Sequence, residues 1–301
     1  MATQSKWQRL ATEAVNPRSR GIDTMEPDEV VEMKVLDNRA VLAALQREKS
    51  HIARGAGLIA DVILKGGRII FAGAGTSGRL GVLEAAELPP TFGIDPITAQ
   101  AIMAVGPAAV HRAKEGVEDD ARAGQRAMRG ACPSRGDVVI GISASGVTPF
   151  VRGALVRARA AKARVISITC APRSELADLA DVSIELVVGP EVIAGSTRLK
   201  AGTATKMALN MLTTAAMVRA GKTYGNLMVD VKSNSEKLRD RARRITTTVT
   251  GLDYDAADAL LRRARWNVKA AILMQRTGVS RASALSRLRV EPRLRQLLGG
   301  G

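Results

Sequence analysis

Two short stretches of this chain combine glycine with hydroxyl side chains behind an apolar run. Gly73-Ala74-Gly75-Thr76-Ser77-Gly78 follows Arg68–Ala72, and Ser143-Ala144-Ser145-Gly146-Val147-Thr148-Pro149 follows Asp137–Ile142. Glycine lets a backbone approach a ligand closely, free amides at a helix start favour an anion, and hydroxyls add donors without adding charge. The chemistry on offer is anion binding, and the anion could be a dinucleotide's pyrophosphate or a single phosphate monoester. Two carboxylate pairs, Glu84 with Glu87 and Glu115 with Glu118, could add acid–base chemistry. Each pair is three residues apart and would share one helix face, where the ordinary role of glutamate is solvation.

The first loop satisfies G-x-G-x-x-G, so the dinucleotide reading has to be met directly. A Rossmann unit places its ribose-binding acid at the end of the second strand. Here the acid at about the right distance, Asp95, precedes the second apolar run and sits in the loop PPTFGIDP. The topology is wrong for NAD. Thr76, Ser77 and Arg79 also stand where a dinucleotide loop needs bare backbone, and they suit the several oxygens of one monoester. Hydroxyls at helix starts also serve as caps. Two such loops at the carboxyl ends of strands in one sheet favour a ligand over capping alone.

The elements that must carry these loops are legible as pattern. Five short apolar runs, Arg68–Ala72, Ala99–Val105, Asp137–Ile142, Arg164–Thr169 and Val182–Val188, are nearly continuous in hydrophobicity, and helix-period segments separate several of them. That is the pattern of parallel strands covered on both faces, so the expected class is α/β, an open parallel sheet flanked by helices. Asp28–Ile63 reads as two helices ahead of the sheet. Ser196–Arg219 reads as one long helix behind it, capped by Ser196 or Thr197. From Asp253 to Arg289 three short helical patterns follow one another, similar to a three-helix module of the ubiquitin-associated type. The expected organisation is a helical segment at 1–66, the α/β domain at 67–232 and a helical region at 233–301.

Composition narrows the classes. Hydrophobic residues make up 46% but aromatics only 2%, so the core must be built from Ala, Val, Ile and Leu, and little surface is left on which bases could stack. Sixteen basic and six acidic residues from Lys232 onward supply +10 of the net +16. These arginines are scattered and no aromatics interleave with them, so they read as a solvated helical surface and not as a nucleic-acid site. Two cysteines and two histidines cannot furnish an ordinary four-ligand zinc site without added carboxylates unless all four converge, and no structural metal is expected. No stretch approaches the ~18 apolar residues needed to span a membrane, so the expectation is a cytoplasmic protein with reduced thiols.

The blocks GAGTSGRLGVLEAAELPPTFG, EGVEDD, GISASGVTPFV, GPEVIAGSTRLKAGTATKMALNML and GKTYGNLMVDV resemble, in this order, those of bacterial N-acetylmuramic acid 6-phosphate etherases, members of the sugar isomerase (SIS) superfamily. LATEAVNPRS, from Leu10 to Ser19, is similar to that family's amino-terminal block. The resemblance implies a SIS-type parallel sheet with a helical carboxyl-terminal region, a homodimer, and cleavage of the D-lactyl ether of a muramic acid phosphate without metal or nucleotide cofactor. It assigns Glu87 as acid and Glu118 as base. It gives the phosphate of a small sugar phosphate to Thr76, Ser77, Gly78, Ser143, Ser145, Gly146 and Thr148, with Ser196, Thr197 and Lys200 as further candidates. The chain departs from the family pattern at Glu84 (usually Asp), at Val147 and Phe150 (Arg and Tyr in A-S-G-R-T-P-Y), and in AVGP at 104–107. A regulatory protein that binds a sugar phosphate without turnover is the alternative of a different class. Both glutamates are present, which speaks against a pure sensor.

Overall fold

The apolar runs pair into one five-stranded parallel sheet of order β2-β1-β3-β4-β5. The strands are β1 (Ile69–Gly73), β2 (Ala99–Met103), β3 (Val138–Ser143), β4 (Arg164–Thr169) and β5 (Val182–Glu185). The computed structural model describes residues 10–112, 114 and 116–299, so Glu115 lies outside the described residues. Every residue of β1 and β3 is buried, which is why these runs read as continuous hydrophobicity and not as alternation. Register runs Ile69 to Val138 between β1 and β3, and Ile69 to Ala99 between β1 and β2. The chain therefore leaves β1 to one side for β2 and returns to its other side for β3. This order puts the topological switch at the carboxyl ends of β1 and β3, the place where open α/β sheets bind ligands.

The chain forms two compact units. The first is Met1–Ala85 with Ile97–Thr213, and the second is Ala86–Pro96 with Thr214–Gly301. In the first, the helices are α1 (Pro27–Asp37), α2 (Arg39–Leu64), α3 (Gly75–Phe92, whose last turns belong to the second unit), α4 (Ala121–Gly130), α5 (Pro149–Ala160) and α6 (Lys200–Arg219, likewise). Helix α6 begins at Lys200, later than the Ser196 or Thr197 cap that the sequence suggests. The reason is local. Gly195 takes a left-handed φ of 75°, the Leu199 amide closes a turn on the Ser196 carbonyl, and the Glu191 carboxylate accepts from the Lys200 and Ala201 amides at 3.1 and 2.9 Å. A carboxylate from outside the helix thus does the work expected of a capping hydroxyl.

The second unit holds a short hairpin, β6 (Thr223–Tyr224) with β7 (Leu227–Met228), and the helices α7 (Glu236–Thr250), α8 (Tyr254–Arg263), α9 (Val268–Thr277), α10 (Arg281–Val290) and α11 (Leu294–Leu297). Its core is small side chains and leucines: Ala242, Leu260, Leu261, Ala271, Leu273 and Ala284 are almost wholly buried. Several of its arginines are engaged within the unit. Arg243 pairs with Asp258 at 2.6 Å and Glu236 at 2.9 Å, and, against the expectation that no aromatics interleave with these arginines, it and Arg239 stack over the Trp266 ring at 5.2 Å. Among the described residues no helix is long and apolar enough to cross a membrane.

One buried ion pair ties the start of the sheet together. Asp137, just before β3, accepts from the Arg68 amide at 2.9 Å and the Arg68 guanidinium at 2.8 and 3.2 Å, and from the Ser134 amide and hydroxyl at 2.8 and 3.0 Å. Burial pushes its carboxyl up, but the Arg68 side chain and the Ser134 and Arg68 amides together hold it below its ordinary value. A depressed folded pKa contributes stability that is present above the unfolded carboxyl value of about 3.9 and is lost as pH falls through the folded one. Replacing Asp137 by Asn should cost about 2–3 kcal/mol in urea unfolding at pH 7, with the difference from the parent protein narrowing below about pH 4.

Candidate active site

Helix α3 starts directly after β1, and its Gly78 fits because no side chain intervenes: a Cβ there would lie 2.8 Å from the Gly73 carbonyl oxygen and 2.8 Å from the Met103 side chain. This close approach turns the chain sharply enough for Gly75, Thr76 and Ser77 to face a cavity of about 650 Å³, a volume suited to a small ligand. The second loop reaches the same cavity with Ala144, Ser145, Val147, Thr148 and Pro149. The amide donors at the start of α3 have no partner within their own helix and so suit an anion, whereas α5 opens with Pro149, which has no amide hydrogen, and its Phe150 amide is given to the Glu118 carbonyl.

The second loop is organised by a buried hydroxyl. Ser143, 2% exposed, lies 2.7 Å from Thr148 Oγ1 and 3.4 Å from Ser145 Oγ, and accepts from the Gly146 amide at 3.1 Å. Thr148 occupies the position before α5 but makes no capping bond with its side chain, so its hydroxyl is not spent on the helix. Gly146 has φ 75°, and a Cβ there would lie 2.6 Å from that of Ser174, whose hydroxyl donates to the Gly146 carbonyl at 3.1 Å. Ser143, Gly146 and Gly78 therefore shape the loops from behind, while Thr76, Ser77, Ser145 and Thr148 form the wall.

Carboxylates meet this wall. Glu118 and Asp119 line the cavity, and the Glu118 carbonyl accepts from the Phe150 amide at 2.9 Å, which pins the segment before α4 to the start of α5. Asp120 then caps α4 by accepting from the Ala123 amide at 2.9 Å. The expected pairing of Glu84 with Glu87 on one helix face splits on folding. Glu84 is 3% exposed, accepts from Thr213 Oγ1 at 2.5 Å and pairs with Lys206 at 3.4 Å. Glu87 is exposed, lies further along α3, and is not among the residues lining the cavity. Residues three apart are separated by about 60° around a helix, and the edge of the buried face passes between these two.

The third block divides in the same way. Thr197 lines the cavity, but Ser196 does not. Lys200, 3% exposed, donates to both Asp37 oxygens at 2.9 Å and to the Pro190 carbonyl at 2.6 Å, so its charge is consumed inside the protein. Among the described residues the cations that line the cavity are Arg79, whose Nε donates to the Val110 carbonyl at 3.0 Å, and the exposed Lys114. Sequence reading also missed Leu10, Thr12, Glu13 and Gly195 on this lining, since nothing in their spacing relates them to the loops. A second cavity, of about 690 Å³, opens at the opposite, amino-terminal ends of the strands beside Gly136 and Arg164. Its Arg159 and Arg164 are paired with Asp181, and no glycine and hydroxyl loop reaches it.

An open parallel sheet that presents two hydroxyl-bearing loops at its switch point defines a SIS-type α/β protein. Two family models agree: the N-terminal SIS domain of glucokinase regulatory protein matches residues 51–159, and the SIS domain matches residues 123–215. The chain is 49% identical over 279 residues to the N-acetylmuramic acid 6-phosphate etherase of Gloeobacter violaceus, covering 93% of this chain and 91% of that protein. It is 50% identical over 268 residues to the etherase of the same name from Salinibacter ruber, covering 89% and 86%. The one from Nostoc punctiforme is 47% identical over 272 residues, covering 90% and 88%. The chain belongs to the N-acetylmuramic acid 6-phosphate etherase family.

The second loop generates a direct test. Gly146→Ala puts a side chain into Ser174 at a left-handed φ, and should cost about 1–3 kcal/mol of stability. Calorimetric titration with N-acetylglucosamine 6-phosphate should show binding weakened at least about tenfold, because the Ser145 and Thr148 hydroxyls lose their common support.

Proposed function

We propose that this protein cleaves the D-lactyl ether at carbon 3 of N-acetylmuramic acid 6-phosphate, giving N-acetylglucosamine 6-phosphate and D-lactate, with Glu118 as base and Glu87 as acid. The observation that supports this best is the single cavity at the ends of β1 and β3, where Thr76, Ser77, Ser145 and Thr148 stand together with Glu118. The four hydroxyls and the amides at the start of α3 hold the phosphate, with Gly78, Ser143 and Gly146 shaping the loops and Thr197 on the adjoining wall. Binding the phosphate anchors a flexible open-chain sugar, so that binding energy remote from the reacting carbons is used to orient them.

In the open-chain form the aldehyde acidifies the hydrogen on carbon 2. Glu118 removes that proton, the electron pair forms the carbon 2–carbon 3 double bond, and the carbon 3–oxygen bond breaks as Glu87 protonates the departing lactate oxygen. Water then adds to carbon 3 and carbon 2 is reprotonated. An alkoxide is a poor leaving group, so the acid matters as much as the base, and each such group is typically worth about 10²–10⁴-fold in rate.

Glu87 does not line the cavity of its own chain, and a homodimer in which a second copy presents it would complete the catalytic pair. The free thiols of Cys132 and Cys170 suit the reducing cytoplasm, and burial pushes the Cys170 thiol up to about 12, leaving it inert.

Glu118→Gln and Glu87→Gln should each lower D-lactate release from N-acetylmuramic acid 6-phosphate by about 10²-fold or more while N-acetylglucosamine 6-phosphate still binds. Full activity in both variants would remove the mechanism. Refolding the two variants together should restore about a quarter of the parent rate if the sites are shared between copies, and nothing if each chain carries its own pair.

A further inference from the structure

The amino-terminal block LATEAVNPRS reaches the cavity, although neither loop nor catalytic pair accounts for it. Leu10, Thr12 and Glu13 contribute to the lining. Thr12 is 5% exposed, and among the described residues its hydroxyl has no hydrogen-bond partner. A buried hydroxyl left unpaired is costly, and in native proteins such an atom wants a reason. The Glu13 carboxylate lies over Gly195, where a Cβ would come within 3.1 Å of its Oε2.

The segment that follows is firmly held. The Asn16 side chain donates to the Pro190 carbonyl at 3.2 Å and accepts from the Arg18 amide at 3.1 Å, and Arg18 pairs with Asp37 at 3.2 Å. Lys200 grips both anchor points, Asp37 and the Pro190 carbonyl, from the other side. The buried lysine that sequence pattern offers to the phosphate instead fastens the strap that delivers Thr12 and Glu13.

We propose that Thr12 and Glu13 are substrate-binding residues that read the sugar portion of the ligand, the hydroxyls and the amide N–H of an open-chain amino-sugar phosphate, while the two loops hold its phosphate. The chemistry separates these duties. A carboxylate can only accept, so Glu13 is matched to O–H and N–H donors and is repelled by the phosphate. The Thr12 hydroxyl can donate or accept, and a ligand group would give it the partner that the free protein lacks. This inference rests on the sugar-phosphate reading of the same cavity and adds the element that tells a sugar phosphate from bare phosphate.

The test compares N-acetylglucosamine 6-phosphate with inorganic phosphate by calorimetric titration of the full chain. Thr12→Val should bind the sugar phosphate at least about tenfold more weakly and inorganic phosphate within about twofold of the parent, and Thr12→Ser should recover most of the loss. Its melting temperature without ligand should be unchanged or higher, because the unpaired buried hydroxyl is gone. Glu13→Gln, a substitution at an exposed side chain, should show the same selective loss and guards against a folding defect at Thr12. In turnover, KM for N-acetylmuramic acid 6-phosphate should rise more than kcat falls. Unchanged sugar-phosphate affinity in both Thr12→Val and Glu13→Gln, equal loss of both ligands, or no sugar-phosphate binding by the parent would overturn the proposal. A parent protein that binds the sugar phosphate but releases no lactate overturns the etherase mechanism and leaves the role of Thr12 and Glu13 to stand or fall on the titrations.

Discussion

A phosphate dianion and the carboxylates of Glu13, Glu118 and Asp119 would have to share one cavity, and this electrostatic constraint governs how the site is built. Two like unit charges about 4 Å apart repel by about 4 kcal/mol at the effective dielectric of a protein surface. A site that relied on cations to hold the phosphate would also neutralise the carboxylates and blunt the base. Hydroxyls and helix-start amides limit this, because they supply donors and partial positive charge without a full counter-ion, even though Arg79 and Lys114 also stand on the lining. Thr76, Ser77, Ser145 and Thr148 do so from two helix starts at once, which is possible only because β1 and β3 are neighbours with their carboxyl ends level.

Helix α6 shows the same device used internally. Its first amides are taken by Glu191, a buried carboxylate pushed above its ordinary value by desolvation and only partly relieved by its bonds to the Ala201 and Lys200 amides and by the Lys200 charge. Of the helix starts near the switch point, that of α3 faces the cavity, that of α5 opens with Pro149 and gives its Phe150 amide to Glu118, and that of α6 is closed by Glu191. Lys200, next to Glu191, pairs with Asp37, so the start of α6 becomes a junction from which Pro190, Asp37 and the amino-terminal strap are all held. The strap and the hydroxyl-bearing wall thereby meet beside a cluster in which the Lys200 charge is matched by Asp37.

Of the departures from the family pattern at Glu84, Val147 and Phe150, only Val147 falls on the cavity wall. Val147 and Phe150 belong to the second loop and the first turn of α5. Val147 lines the cavity as an apolar residue, whereas Phe150 is 2% exposed and packs into the core beside Val151 and Leu155. Burying the ring of Phe150 strengthens the α5 contact, and its amide still holds the Glu118 segment by a backbone bond that is indifferent to the side chain. Glu84 likewise keeps a carboxylate between α3 and α6, bonded to Thr213 and Lys206, away from the chemistry.

Local pattern was enough to mark the five strands, the long helices, the three short helices near the end and the two hydroxyl loops, because each depends on side chains within a few residues of one another. Helix α6 starts later than its own pattern suggests because its cap comes from Glu191, and a capping carboxylate that arrives from outside the helix leaves no trace in the helix's own spacing. The sequence by itself determined that this chain would form a parallel sheet with two glycine- and hydroxyl-bearing turns at the carboxyl ends of its strands. Only the tertiary structure decided that Glu84 turns inward and Glu87 outward, that Lys200 is consumed by Asp37, and that Thr12 and Glu13 join the cavity. These outcomes depend on which distant backbone closes over a side chain, and long-range packing and desolvation, which carry no periodicity, set that choice.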